Sequence, residues 1–337
     1  MEPDDDKPLA ADRDQYILDD LHNSNDADSD TTSLASRIYR GVMKNGRRYQ
    51  TIREDNYWCP ADEQQFECFD ACHLVSILLD SETRNPLFQA PIKQSAKNIL
   101  DIGTGRGNWA IDVADMFPHA TVRGVDLYPP PVNWMPPNCI LEVDNILENW
   151  TWREPFDFVH ISHLVASFTP GEWDTVYKQA FDNLNPGGWI EQLEADAYVL
   201  CDDGSLPPSN ILHSFGSNVL DAAANSGHPG GTLNTMRASM EKAGFVDLQE
   251  RTYKWPIGPW PRDKLLKEAG QVNYHQWVNG LEGWCMFLLT KFGTPEPWSP
   301  EEVQVYVARL RQEVRKPEFH IYHTARRVWG RKPEQAE

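Results

Sequence analysis

No stretch of this chain comes near the roughly 20 consecutive apolar residues that a membrane helix needs, so a spanning segment is not expected. Cysteine is sparse as well. The six, at positions 59, 68, 72, 139, 201 and 285, follow no disulfide-framework spacing, and reduced thiols in the cytoplasm or nucleus are the expectation. Cys59, Cys68, Cys72 and His73 crowd together, but CxxxC followed at once by histidine is not a zinc-ligand spacing, so no metal is expected. Positive charge is short too, with 31 Lys and Arg against 50 Asp and Glu. No basic cluster recurs on a predicted helix, which argues against a phosphate-backbone grip and direct nucleic-acid binding.

The acidic excess is uneven. Residues 1 to 30 hold 11 acidic side chains against Lys7 and Arg13, supplying −9 of the formal −19. With few apolar residues, 1–32 reads as a disordered acidic tail, unlike a signal peptide. A polar, Arg/Tyr-rich stretch follows, and 62–80 shows helical apolar spacing, so 33–95 is expected to form an N-terminal helical cap. From Lys97 the pattern changes. "KNILDIG", "ATVRGVDL", "CILEVDN", "FDFVHIS" and "PGGWIEQLEAD" read as strands, with "NWAIDVADMF" and "GEWDTVYKQAFDNL" as helices between them. Such alternation predicts βαβ units and a mostly parallel sheet with helices on both faces. Helices are predicted at about 209–226 and 232–243, then strands at 244–255 and 318–332. A Trp-rich helical insertion at about 261–316 lies between those strands, within a domain spanning 96–337.

The stretch "NILDIGTGRGNWAID" runs a buried strand into Asp101, then glycine at 103, 105 and 107, then a helix. Missing Cβ atoms let a ligand approach the backbone. Asn108 breaks the G-x-G-x-x-G register of dinucleotide sites, and no Walker GK[ST] is present. Asp126 ends the second strand, where a carboxylate can accept both hydroxyls of a ribose. Asp144 and Asn145 end the third and can meet an adenine amino group. Either aspartate alone could simply cap a turn. Together, acidic groups around a glycine bend favour a ligand with cationic character and no phosphate, which describes S-adenosylmethionine.

Here the sequence resembles the class I S-adenosylmethionine-dependent methyltransferases. "ILDIGTGRG", "VDL", "VDN" and "LNPGGWIE" stand where that family carries its cofactor motifs. The resemblance implies a Rossmann-like fold with a seven-stranded sheet. It also implies that Asp101, Gly103, Thr104, Gly105 and Gly107 line the methionine end, Asp126 and Leu127 the ribose, and Asp144 with Asn145 the adenine. Over about 38–333, "KNGRRYQ", "YWCPADEQQFECFDACH" and "VWGRKP" are similar to the fungal LaeA-like methyltransferases. That group includes velvet-associated regulators of development and secondary metabolism as well as pathway enzymes acting on small molecules. One departure is Ser162, where family members commonly carry arginine.

Residues after the fourth strand lie beside the transferred methyl in this fold, so His160, Ser162 and His163 are candidates there. A histidine has a suitable intrinsic pKa for a general base, and His163 is preferred because it leaves the strand toward the site, with His160 also beside the cofactor. Tyr57, Asp62 and His73 are candidate lid residues, and Trp109 either packs on the methionine end or pins its helix. The function expected first is a methyltransferase that regulates development and secondary metabolism with protein partners, in a heteromer with a velvet-type protein or a related methyltransferase; the alternatives are a small-molecule O- or N-methyltransferase and a methyltransferase-fold scaffold.

Overall fold

The computed structural model describes residues 34–129 and 134–334. The acidic tail and part of the proline-rich 127–138 stretch therefore lie outside the described residues.

A short helix α1 (Leu34–Arg40) leads into a hairpin of β1 (Val42–Lys44) and β2 (Arg47–Tyr49), so the region before the sheet is not purely helical as expected. Helix α2 (Glu63–Asp80) is capped by Asp62, whose side chain accepts the Gln65 amide. The same carboxylate takes the Arg47 guanidinium through both oxygens, at 2.6 and 2.7 Å, and ties the hairpin to the helix start.

The central sheet begins with β3 (Asn98–Ile102), α3 (Asn108–Met116), β4 (Thr121–Asp126), β5 (Cys139–Val143) and β6 (Phe156–Ser162). Then come α4 (Pro170–Asn183), β7 (Leu184–Ala195) and a two-residue strand β8 (Leu200–Cys201). Helices α5 (His213–Asn225) and α6 (Thr232–Ala243), strand β9 (Val246–Pro256), helices α7 (Lys264–Phe292) and α8 (Pro300–Val314), and strand β10 (Ile321–Arg331) complete it. The sheet order is β5-β4-β3-β6-β7-β10-β8, with β9 also on β10. Strands β3 to β7 run parallel and β10 runs antiparallel to β7 and β9. It holds eight strands rather than seven, because β8 adds a short rung to β10.

Both faces of β3 and β6 are covered, which is why these strands read as nearly continuous apolar runs. Leu100, Ile102, Val159, Ile161 and Ile190 pack on α4 and α6. Ile99 and Phe158 face α3 and the 87–96 segment. A separate core joins α5, α7 and α8 around Trp277, Leu281 and Leu310. Capping boxes set the starts of α4 (Thr169 with Glu172) and α8 (Ser299 with Glu302), each with proline in its first turn.

Candidate active site

Strands β3 to β6 deliver their carboxyl ends to one edge, and strand order reverses between β3 and β6. That is the point at which open α/β sheets form a ligand crevice. The loop after β3 holds Gly103 at φ +74° and Gly105 at φ +57°. A Cβ on Gly103 would lie 2.7 Å from Leu164, so this glycine lets the loop pack on the segment after β6. A Cβ on Gly105 would meet only Phe69, at 4.0 Å. Packing does not demand that second glycine; it leaves a cradle open above the backbone.

Asp126 closes the cradle from β4. Its Oδ2 accepts the Gly105 amide at 2.9 Å, and its Oδ1 accepts the amides of Leu127 at 2.7 Å and Tyr128 at 3.3 Å. Burial pushes this carboxyl above the usual range, against the pull of the three amides. Both the turn-cap reading and the ligand reading are compatible with this geometry, since each oxygen retains lone-pair capacity.

Asp101 is buried. It sits 2.8 Å from His160 Nδ1 and accepts the Thr104 hydroxyl at 2.7 Å. The His160 ring lies flat on Trp109, with centroids 3.8 Å apart and 4° between planes. Trp109 donates its indole N–H to the Leu87 carbonyl at 2.9 Å. Asp101, His160 and Trp109 thus form one fixed wall, and the tryptophan serves the helix as much as the cleft.

The first cleft encloses about 730 Å³ up to its open mouth. Besides that wall and Gly103–Arg106 it takes in Tyr57, Asp70 and His73 from the cap, Ser162 at the end of β6 and His163 just after it, and Arg327 from β10. His73 is 2.8 Å from Asp112, and Asn108 donates to Asp70 at 2.6 Å, so α2 is strapped to α3 across the mouth. Asp62 caps α2 instead and does not line the cleft, and Gly107 starts α3 as its N-cap.

A second cleft of about 410 Å³ contains Leu127, Asp144, Asn145 and Phe168. It shares Tyr57, Gly103, Asp126 and Leu164 with the first, and the two make one trough. Arg53, unseen from the sequence, lines it too. Its guanidinium donates to Glu172 at 2.8 Å and the Ser167 carbonyl at 3.2 Å, and lies 5.3 Å from the Phe168 ring centre.

Arg327 also escaped sequence reasoning. Ser162 pairs with Leu193, and Leu193 with Arg327, so the three sit in one row across the sheet. Although position 162 is serine, a guanidinium reaches this cleft from β10. It is 1 % exposed and paired with Glu191 and, at 2.9 Å, with Asp80. Glu191 additionally accepts the amides of Gln89 and Ala90 at 2.8 and 2.7 Å, fixing the segment under the cleft.

His163 stands at the junction of the trough with a third, apolar cavity. Its backbone has φ +56°, its amide donates to the Leu193 carbonyl at 3.0 Å, and its ring lies 5.7 Å from Trp255. Burial, reinforced by nearby positive groups, drives its pKa down to about 3. The ordinary imidazole pKa that recommended it as a base is lost, and the ring is neutral at physiological pH.

Residues 80–279 match the family model described as a methyltransferase domain. The chain belongs to this family and is an S-adenosylmethionine-dependent methyltransferase. It is 33 % identical to Methyltransferase pytC of Aspergillus terreus over 88 % of this chain and 89 % of that one. It is 31 % identical to a secondary metabolism regulator of Cochliobolus heterostrophus, over 87 % and 95 % of the two chains. The protein-methionine methyltransferase laeA of Emericella nidulans shares 30 % identity over 86 % and 76 %. A solved phosphoethanolamine N-methyltransferase of Haemonchus contortus, in complex with S-adenosyl-L-methionine, aligns with a TM-score of 0.43 and 18 % identity. That alignment covers 78 % of this chain and about half, 52 %, of that one.

The trough fits the cofactor of this family on its own terms: the Gly105 cradle admits close backbone approach, and carboxylates line the place where a cation would lie. When bound, S-adenosylmethionine supplies an activated methyl group on a sulfonium. The chain's own share is to orient and to exclude water. The His160–Trp109 stack and the Arg327 ion pairs hold the floor rigid, while the α2–α3 strap limits solvent access.

Proposed function

We propose that the chain holds S-adenosylmethionine along the trough and methylates a small molecule. In this reading the methionine end lies over Gly103–Gly105 beside Asp101, with Thr104 and His160 behind it. The ribose diol meets Asp126, and the adenine rests among Leu127, Asp144, Asn145 and Phe168. The observation that carries it is the amide of Gly105 held by Asp126 beneath an open cradle. A small acceptor is supported by the cavity beyond His163, which α5 and α7 wall in. Neutral His163 then positions the acceptor rather than taking its proton.

A second reading is a regulator working beside protein partners, such as a velvet-type protein, in cytoplasm and nucleus. It is supported by the relatives that bear the name of secondary metabolism regulators. Calorimetry with S-adenosylmethionine tests the shared core. Micromolar binding, abolished by Gly105→Arg without loss of fold, is expected; equal binding by the variant would refute the trough. Labelled methyl groups appearing in the small-molecule extract of a lysate, and not in its protein, would favour the first reading over the second.

A further inference from the structure

Tyr57, Phe69 and His163 line both the trough and the third cavity, which encloses about 820 Å³ up to its mouth. Trp58, Phe215, Trp277 and Trp284 give it flat apolar walls, with Phe215 and Trp277 centroids 5.1 Å apart and Trp277 and Trp284 5.5 Å apart. Formal charge is almost absent. Asp196 is the one acidic side chain among the lining residues, and its carboxylate already accepts the Tyr198 amide at 3.3 Å. His323 is kept neutral by burial, with a pKa lowered to about 4. Both its nitrogens are engaged, Nδ1 with the Asp196 carbonyl at 3.0 Å and Nε2 with the Asn273 amide nitrogen at 3.1 Å.

Two buried polar atoms of the cavity walls lack a partner among the described residues, the Trp277 indole N–H and the side-chain oxygen of Gln276. Gln276 is 7 % exposed and donates its amide nitrogen to Cys72 Sγ at 2.7 Å, while its oxygen has no partner among the described residues. A buried acceptor without a partner costs about 1–3 kcal/mol, which a hydroxyl or N–H on a ligand would recover.

We propose that this cavity is the acceptor site and that its occupant is an uncharged, ring-built small molecule carrying a hydroxyl or N–H donor. The proposal rests on the trough being the cofactor site, because it is their shared wall at His163 that brings acceptor and methyl group together. Flat rings stack on the tryptophans, and the donor finds Gln276. An anion would shed its hydration among walls with no cationic side chain and one carboxylate, and a cation would find Asp196 as its one counter-charge.

The test uses the full chain and three probes of one shape: 1-naphthol, 1-naphthoate and 1-naphthylmethylammonium. Quenching of tryptophan fluorescence reads their binding, and calorimetry with S-adenosylhomocysteine reads the trough separately. Naphthol should bind at least about tenfold more tightly than either ion. Ala223→Trp, which fills the cavity from α5, should weaken naphthol by about tenfold or more and leave S-adenosylhomocysteine within about twofold. If that buried position does not tolerate tryptophan, Leu220→Trp, on a half-buried part of the same wall, gives the same reading. Equal or tighter binding of either ion overturns the proposal, as does naphthol binding untouched by a cavity-filling variant. Naphthol binding as described, with no S-adenosylhomocysteine binding, would overturn the trough and with it the cavity's role as acceptor site, leaving only the class of its ligand.

Discussion

Asp126→Ala should weaken S-adenosylhomocysteine by about two to three orders of magnitude. The carboxylate lies at the meeting of the two clefts and already organises three amides. A ribose diol adds two hydrogen bonds to a charged acceptor, about 1.5–3 kcal/mol each before losses. A net loss of about 3–4 kcal/mol corresponds to about 10²–10³ in Kd. The amides lose their acceptor as well, but Asp126 and Leu127 are only half-buried, so water can replace it and the fold should lose no more than about 1–2 kcal/mol. Asp126→Asn keeps the shape and one acceptor, and should fall between wild type and alanine. Calorimetry with a parallel thermal melt of all three proteins decides the matter. A folded Asp126→Ala protein that binds within about threefold of wild type would refute the reasoning.

Arg327→Met strands Asp80 and Glu191 inside the protein and should cost about 3–5 kcal/mol in urea unfolding, whereas a loss under about 1 kcal/mol would show the network to be dispensable. Burial pushes Glu194 up to about 7, from an ordinary 4.5; its Oε1 accepts the Leu164 amide, while its Oε2 has no partner among the described residues. The folded state therefore holds a proton that the unfolded state has lost, and stability should fall by roughly 3 kcal/mol as pH rises from 4.5 to 7. Glu194→Gln should flatten that slope in denaturation curves taken at several pH values, and an unchanged slope would count against a buried neutral acid. Because His163 is neutral down to about pH 3, the rate should show no limb near pH 6.5 that disappears in His163→Gln; such a limb would restore it as a base.

The fold was legible because its signals are local. Apolar runs such as "NILDI" and "FDFVHIS" mark strands covered on both faces. Asp101 and Asp126 lie at the carboxyl ends of β3 and β4, and the glycine bend, Asp144 and Asn145 come just after strands, so a strand reading already gathers them at one edge. The hairpin at β1 and β2 and the two-residue β8 carried no periodicity long enough to read. Arg53 and Arg327 were invisible for another reason. Each reaches the trough from a segment far away in sequence, Arg327 by register across two strands and Arg53 through its hold on Glu172. The shifts of His163 and Glu194 are equally remote effects, because burial depends on what the whole chain packs around a side chain.

A crystal structure with S-adenosylhomocysteine bound tests the central claim most directly. The account predicts backbone contact at 103–105 and both ribose hydroxyls within about 2.6–3.0 Å of the Asp126 carboxylate. A nucleoside held elsewhere, with its sugar away from Asp126, would contradict it.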